Sequence, residues 1–314
     1  MSSEIKKKHR HEKPQKSNTL HTVLSFLFSF LLSVTLLLIS TVCVVRSTLS
    51  EGYTKSCLSS GYYTGLKENV EESAEDYTLP TGIDPSVTEN IFDVDSIKND
   101  MESYITGTFK IRQYNIDTSS QEALLRENVI RFLESEGAPT EPVNPEESDI
   151  ELDEESVSAY NNAVEETNLA VDEYVKEIMS IYQKRIKLPG LDYIVKIGNE
   201  YNKYFPFLLV ISILLSLLFG FICIKIHRLP HRGLRYMVYA FGGGFLMTFL
   251  APFVVFASRI YNRLNVDPPY FRDFMAAYIK GALAQFMIVS QIWLLVAIVL
   301  LVIVAVLRKK SLRS

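Results

Sequence analysis

Four stretches of this chain are mostly apolar and carry no charged residue, and the polar sequence between them is spaced like helix. Residues 205–224, 236–257 and 282–307 are each about as long as the roughly 20 residues that carry an α-helix across a hydrocarbon layer. A fourth stretch, 23–45, lies near the N-terminus. Signal-peptide apolar regions run about 7–15 residues and end at a small-residue cleavage site. This one is longer and ends in "CVVRSTLS", so it reads as an uncleaved anchor. The pattern predicts an all-α integral membrane protein: four transmembrane helices, with a mainly helical extracytoplasmic domain, 46–204, between the first and the second.

Inside 46–204 the apolar positions keep helical spacing. Tyr53, Cys57, Leu58, Tyr62, Leu66 and Val70 predict a helix that continues straight out of the first span. "TLPTGIDP" breaks it. Asp84 before Pro85 is an N-cap for a short helix to about Phe92, and Asp95 or Ser96 can start the next, with Ile97, Met101, Tyr104 and Ile105 inward. "FKIRQYNI" is the one strand-like piece, short enough to be a connector. Ser119 with Glu122 fits a capping box, Leu125, Val129, Phe132 and Leu133 form a buried stripe, and Gly137 is placed for a C-terminal cap. Residues 138–155, rich in proline and acid, read as a flexible loop.

The most regular piece follows. Val157, Tyr160, Val164, Thr167, Val171, Tyr174, Ile178 and Ile181 alternate by three and four, which puts them in one seam of a long helix with coiled-coil spacing. A seam needs a partner, either a helix of the same chain, from Leu49 or from Ala123, or a second copy of this helix. Thr167 and the tyrosines in the seam, with few complementary flanking charges, favour a bundle within the chain. Residues 191–204 then form an amphipathic lead-in to the second span.

Charge orients the spans. Between Glu51 and Glu200 there are 12 Lys or Arg against 32 Asp or Glu, so the rest of the chain is basic. The tail 1–22, the loop 225–235 and the tail 308–314 are the basic pieces, and four crossings put all of them on one side. Lys and Arg in short flanking segments stay cytoplasmic. Both termini are therefore expected in the cytoplasm, with 46–204 and the loop 258–281 outside, although Arg259, Arg263, Arg272 and Lys280 in that loop run against the bias. Three cysteines in all, and no N-x-S/T sequon in the outer segment, point to a bacterial plasma membrane.

Small residues recur every fourth position in the spans: Ser25, Ser29 and Ser33, then Ser212, Ser216 and Gly220, then Ala240, Gly244 and Thr248. That spacing lines one helix face and lets backbones approach. Gly242, Gly243 and Gly244 together with Pro252 are expected to loosen or kink the third span. No ionisable residue lies near the centre of any span, which argues against ion transport. Gln285 and Gln291 are the large polar side chains of the fourth span and are expected to bond across to a neighbouring helix.

Chemistry is scarce. All five histidines, His9, His11, His21, His227 and His231, fall on the expected cytoplasmic side, so the outer domain has neither a Ser-His triad nor a His-ligated zinc. Cys57 reads as a small apolar contact. "DVDSIKND", 93–100, lacks calcium-loop spacing and reads as capping carboxylates. No phosphate loop, GxSxG or HExxH motif occurs. Cofactor and metal are therefore not expected, and a strongly acidic outer domain does not suit nucleic acid. The layout of one span, a large outer domain and three more spans resembles that of the division-type ABC-transporter permeases. That resemblance would imply a cytoplasmic ATPase partner, although the short loop 225–235 between the second and third spans has no amphipathic helix for one. The leading expectation is a non-enzymatic membrane protein: a sensor or scaffold whose outer domain or spans bind a protein partner or a second copy. A permease-like subunit is the alternative, and a small channel or transporter the second.

Overall fold

The computed structural model describes residues 16–111, 114, 116–142, 154–227 and 230–311. Among them all regular structure is helical, and the described residues of "FKIRQYNI", 109–111, 114 and 116, are in no strand. Four helices are long and apolar enough to cross a membrane: Leu20–Thr48, Leu191–Lys225, His231–Ser258 and Pro269–Lys310. They belong to α1 (Lys16–Thr48), α7 (Leu191–Lys225), α8 (Pro230–Ser258) and α9 (Pro269–Ser311). The chain divides into two units. The apolar unit holds α1, α8 and the larger parts of α7 and α9; the acidic unit is Leu49–Glu200 with Tyr261–Ile279.

In the apolar unit α1 is the most enclosed helix. Of its most apolar stretch 44% is buried, against 17%, 17% and 11% for α7, α8 and α9, so the other three lie around it. It runs parallel to α8. Ser29 Oγ donates to the Tyr236 carbonyl at 2.9 Å and Ser33 Oγ to that of Ala240 at 2.8 Å. Gly243 lies beneath Ser33, where a Cβ would come within 2.7 Å of the hydroxyl, and Gly244 lies beneath Leu36. Ser25 is buried on the same face and donates to its own helix at the His21 carbonyl.

α7 runs antiparallel to α1. Ser216 Oγ donates to Thr35 Oγ1 at 3.0 Å, Ser212 is buried, and Gly220 is buried against Met237. Tyr201 OH donates to the Val42 carbonyl, and the Arg46 guanidinium sits 4.0 Å over the Phe205 ring. α9 joins α1 through Trp293, whose Nε1 donates to Ser40 Oγ at 2.7 Å. The glutamines expected in that role are placed otherwise: Gln291 is exposed and Gln285 half-buried. An indole donor is apolar over most of its surface, so it can bond across helices while its ring packs on Phe241. The glycine triplet and Pro252 do not interrupt α8.

The acidic unit contains α2 (Glu51–Ser56), α3 (Ser60–Thr78), α4 (Val94–Phe109), α5 (Ser119–Ser135) and α6 (Glu154–Ile186). The unbroken helix expected out of the first span is instead three: α1 stops at Thr48, and Ser50 and Ser59 accept the backbone N–H of Tyr53 and of Tyr62 to start α2 and α3. A serine hydroxyl satisfies a first-turn donor as well as a further turn would. Asp84 caps only a short 3-10 turn, Pro85–Thr88. Asp93, two residues ahead of the expected start, caps α4 by accepting from Asp95 and Ser96. Thr118 is the N-cap residue of α5 and donates to Glu122, while Asp117 takes the Ser119 N–H. Gly137 (φ +81°) and Ala138 return their N–H groups to Glu134 and Leu133 and close α5.

Leu66 and Val70 of α3, Ile97, Met101 and Ile105 of α4, Leu125 and Val129 of α5, and Ile178, Tyr182 and Ile186 of α6 make one core. The segment expected as an outer loop, 258–281, is largely helical. α9 begins at Pro269, and Tyr270, Phe271, Phe274 and Tyr278 pack on that core. Residues 143–153 of the acidic loop, the tail 1–15 with His9 and His11, Arg228 and the last residues 312–314 lie outside the described residues.

Two stability measurements follow for the full chain in detergent micelles. Leu125→Ala removes a fully buried side chain and should lower unfolding stability by about 2–5 kcal/mol in a thermal or denaturant melt followed by circular dichroism. Gly233, on α8, faces the backbone of α7 so closely that a Cβ would meet Ile224 Cα at 2.7 Å and the Cys223 carbonyl at 2.8 Å. Gly233→Val should therefore cost about 1–3 kcal/mol, whereas the same change at Gly52, with nothing within 4 Å, should not.

Candidate functional site

α6 lines two of the open cavities of the acidic unit. Its buried face carries Val157, Val164, Val171, Tyr174 and Ile178 of the expected seam, but Tyr160 is 40% exposed and Ile181 only half-buried. Val175, Met179, Tyr182 and Ile186 continue the stripe instead. The reason is helical geometry: a straight helix of 3.6 residues per turn drifts about 20° per heptad from a strict coiled-coil seam. The stripe is covered within the chain by α3 and α5.

Where the stripe turns away, a groove of about 590 Å³ opens between α3, α5 and α6. This lies within the range of about 300–1,000 Å³ that holds small molecules. Ala163 and Ala170, seven residues apart on α6, line it with side chains too short to fill it; Val129 and Leu133 of α5 form one wall and Tyr77 with Ile83 the other. Tyr174 is the floor. It is buried, its hydroxyl shares a 2.7 Å hydrogen bond with Thr78, and its ring lies 6.0 Å from that of Tyr77. Burial pushes the Tyr174 hydroxyl above the ordinary phenol range, so it stays neutral. Glu166 and Glu173, both exposed, stand on the α6 rim. Among the described residues no Lys, Arg or His lines the groove.

A second polar feature is buried in the core. Tyr182, fully enclosed and stacked on Phe92 at 4.9 Å, donates to Asp100 Oδ2 at 2.6 Å. Burial raises the Asp100 carboxyl above its ordinary value, even though the tyrosine bond works the other way. Cys57 is buried and its thiol is likewise raised by burial, which suits a contact residue and not a nucleophile. Among the described residues no group of three or more His, Cys, Asp or Glu is gathered that could hold a metal ion.

No family model, no curated protein and no solved structure matches this chain.

Val171 and Tyr174 of the expected seam line the groove, but the groove itself is not expected from the sequence, in which that seam reads as wholly covered. Its signal in the sequence is faint: two alanines one heptad apart, each three residues from a glutamate. Nothing local to α6 tells that the ends of α3 and α5 diverge there.

The Asp100 pair gives a pH-dependent prediction. A carboxyl whose folded pKa is raised contributes stability fully at pH below its unfolded value, and that contribution is lost as pH rises through the folded pKa. At neutral pH the half-buried Asp100 charge therefore costs stability. Asp100→Asn, which keeps an oxygen to accept from Tyr182, should melt higher than the parent chain at pH 7. The gap should narrow steadily as the pH is taken down through the raised pKa.

Proposed function

We propose that this chain is a non-enzymatic integral membrane protein whose acidic helical unit lies on the extracytoplasmic face of a plasma membrane and receives a ligand in the groove between α3, α5 and α6. The observation that carries the reading is that groove: a preformed, aromatic-floored space of small-molecule size, lined by apolar side chains from three helices. The apolar unit serves as the anchor. Its contacts to α1 run through serine, threonine, glycine and tryptophan, which are the residues of tight helix association and not of an ion path. Basic segments beside the spans support the orientation, with the acidic unit outside.

Two measurements test this. In a cysteine-free background, Asp172→Cys on the exposed surface of α6 should react in intact cells with a membrane-impermeant maleimide, and Lys225→Cys should not; the reverse pattern would turn the topology over. A thermal-shift screen of the purified full chain should yield compounds that raise its melting temperature, since a ligand at 100 times its Kd adds about 2.7 kcal/mol. Those shifts should vanish in Ala170→Trp, which fills the groove. Stable co-purification with a cytoplasmic ATPase, without such compounds, would favour a permease subunit instead.

A further inference from the structure

Resting on the reading of the groove as a ligand site, we propose that its ligand is an organic cation with an apolar body. Electrostatics select the sign. The groove lies in a segment with 12 Lys or Arg against 32 Asp or Glu. Glu166 and Glu173 stand on its rim, and no described cation lines it to neutralise them. They are seven residues apart on one helix, two turns, or about 10 Å along the axis. A positive charge seated between them meets one carboxylate on each side and pairs with neither at the cost of the other. Ala170 lies midway, so the space between the carboxylates is left open by a methyl group.

The lining selects the body. Below the rim the surface is that of Val129, Leu133, Ile83 and the Tyr77 and Tyr174 rings. A small hydrated ion would gain nothing there, whereas an alkyl or aryl group would leave water. The tyrosine faces also attract a cation directly, by about 0.5–1 kcal/mol at an exposed site. The Tyr174 hydroxyl is already engaged by Thr78, which presents the ring rather than the oxygen as the recognition element. An anion of the same shape would meet repulsion from both carboxylates, and a neutral analogue would keep the apolar contacts but lose the charge attraction.

The test uses the full chain in nanodiscs of zwitterionic lipid and equilibrium dialysis, with empty nanodiscs subtracted. The probes are tetraphenylphosphonium as the cation, tetraphenylborate as the anion of the same shape and triphenylphosphine oxide as a neutral relative. The expected result is saturable binding of the phosphonium, weakened about ten-fold in the Glu166→Gln/Glu173→Gln double variant and lost in Ala170→Trp. All three positions are exposed, so the variants should melt like the parent chain. Tetraphenylborate should not bind saturably. If the neutral probe binds as tightly as the cation, or the double variant binds the phosphonium unchanged while Ala170→Trp does not bind it, the charge assignment is overturned and the groove stands as a receptor for neutral ligands. If Ala170→Trp leaves the binding of every probe unchanged, the groove is not the site, and both the ligand class and the receptor reading fall.

Discussion

Most of the acidic unit is organised by the need to take one face of α6 out of water. From Val164 to Ile186 that face carries large apolar side chains at helical spacing, and each one fully buried is worth about 1.5–3 kcal/mol. α5 and α3 share that face, α4 closes the core behind, and the first turns of α9 add their aromatic rings. The places where these partners stop set what the unit exposes. The groove is such a place: α3 has ended at Thr78, α5 at Ser135, and α6 runs on past both.

That arrangement separates two kinds of polar burial. Tyr182 with Asp100 is a closed pair, in which the phenol is enclosed and its one acceptor is supplied by α4. Tyr174 with Thr78 satisfies the hydroxyl in the same way but leaves one side of the ring bordering the groove. The chemistry is alike, and the difference lies in what stands over the ring: Phe92 in the first case, open space flanked by alanines in the second. A satisfied hydroxyl beneath an open ring makes a surface that is apolar, rigid and weakly electronegative.

Much of the fold is written in local sequence. The four apolar runs, the helical spacing of Ile97, Met101 and Ile105, and the cap at Gly137 depend on residues within a few turns of one another, and periodicity and capping rules read them directly. The departures have a common origin in tertiary context. Serines at 50 and 59 look like interior helix positions until their hydroxyls turn to the backbone. Tyr160 keeps heptad spacing, yet a helix that is not supercoiled carries it to the surface. The helical start of α9 at Pro269 hides among arginines and aromatic residues that read as an outer loop, because the core that its rings enter is made by residues far earlier in the chain. The groove is the extreme case, since it is made by what three helices leave uncovered.

The serine contacts between α1 and α8 have a periodicity of their own. Ser29 reaches the Tyr236 carbonyl and Ser33 that of Ala240, so donors and acceptors both repeat every four residues along parallel helices. Taken alone, such a ladder is degenerate, because sliding α8 by one turn would offer Ser33 the carbonyl of Gly244 or of Tyr236 with the same geometry. Gly243 removes the degeneracy. After a slip in one direction the residue facing Ser33 would be Met247, and in the other Tyr239, and neither fits where a single Cβ already comes within 2.7 Å. The hydrogen bonds thus hold the two helices together, and the missing side chain fixes their register.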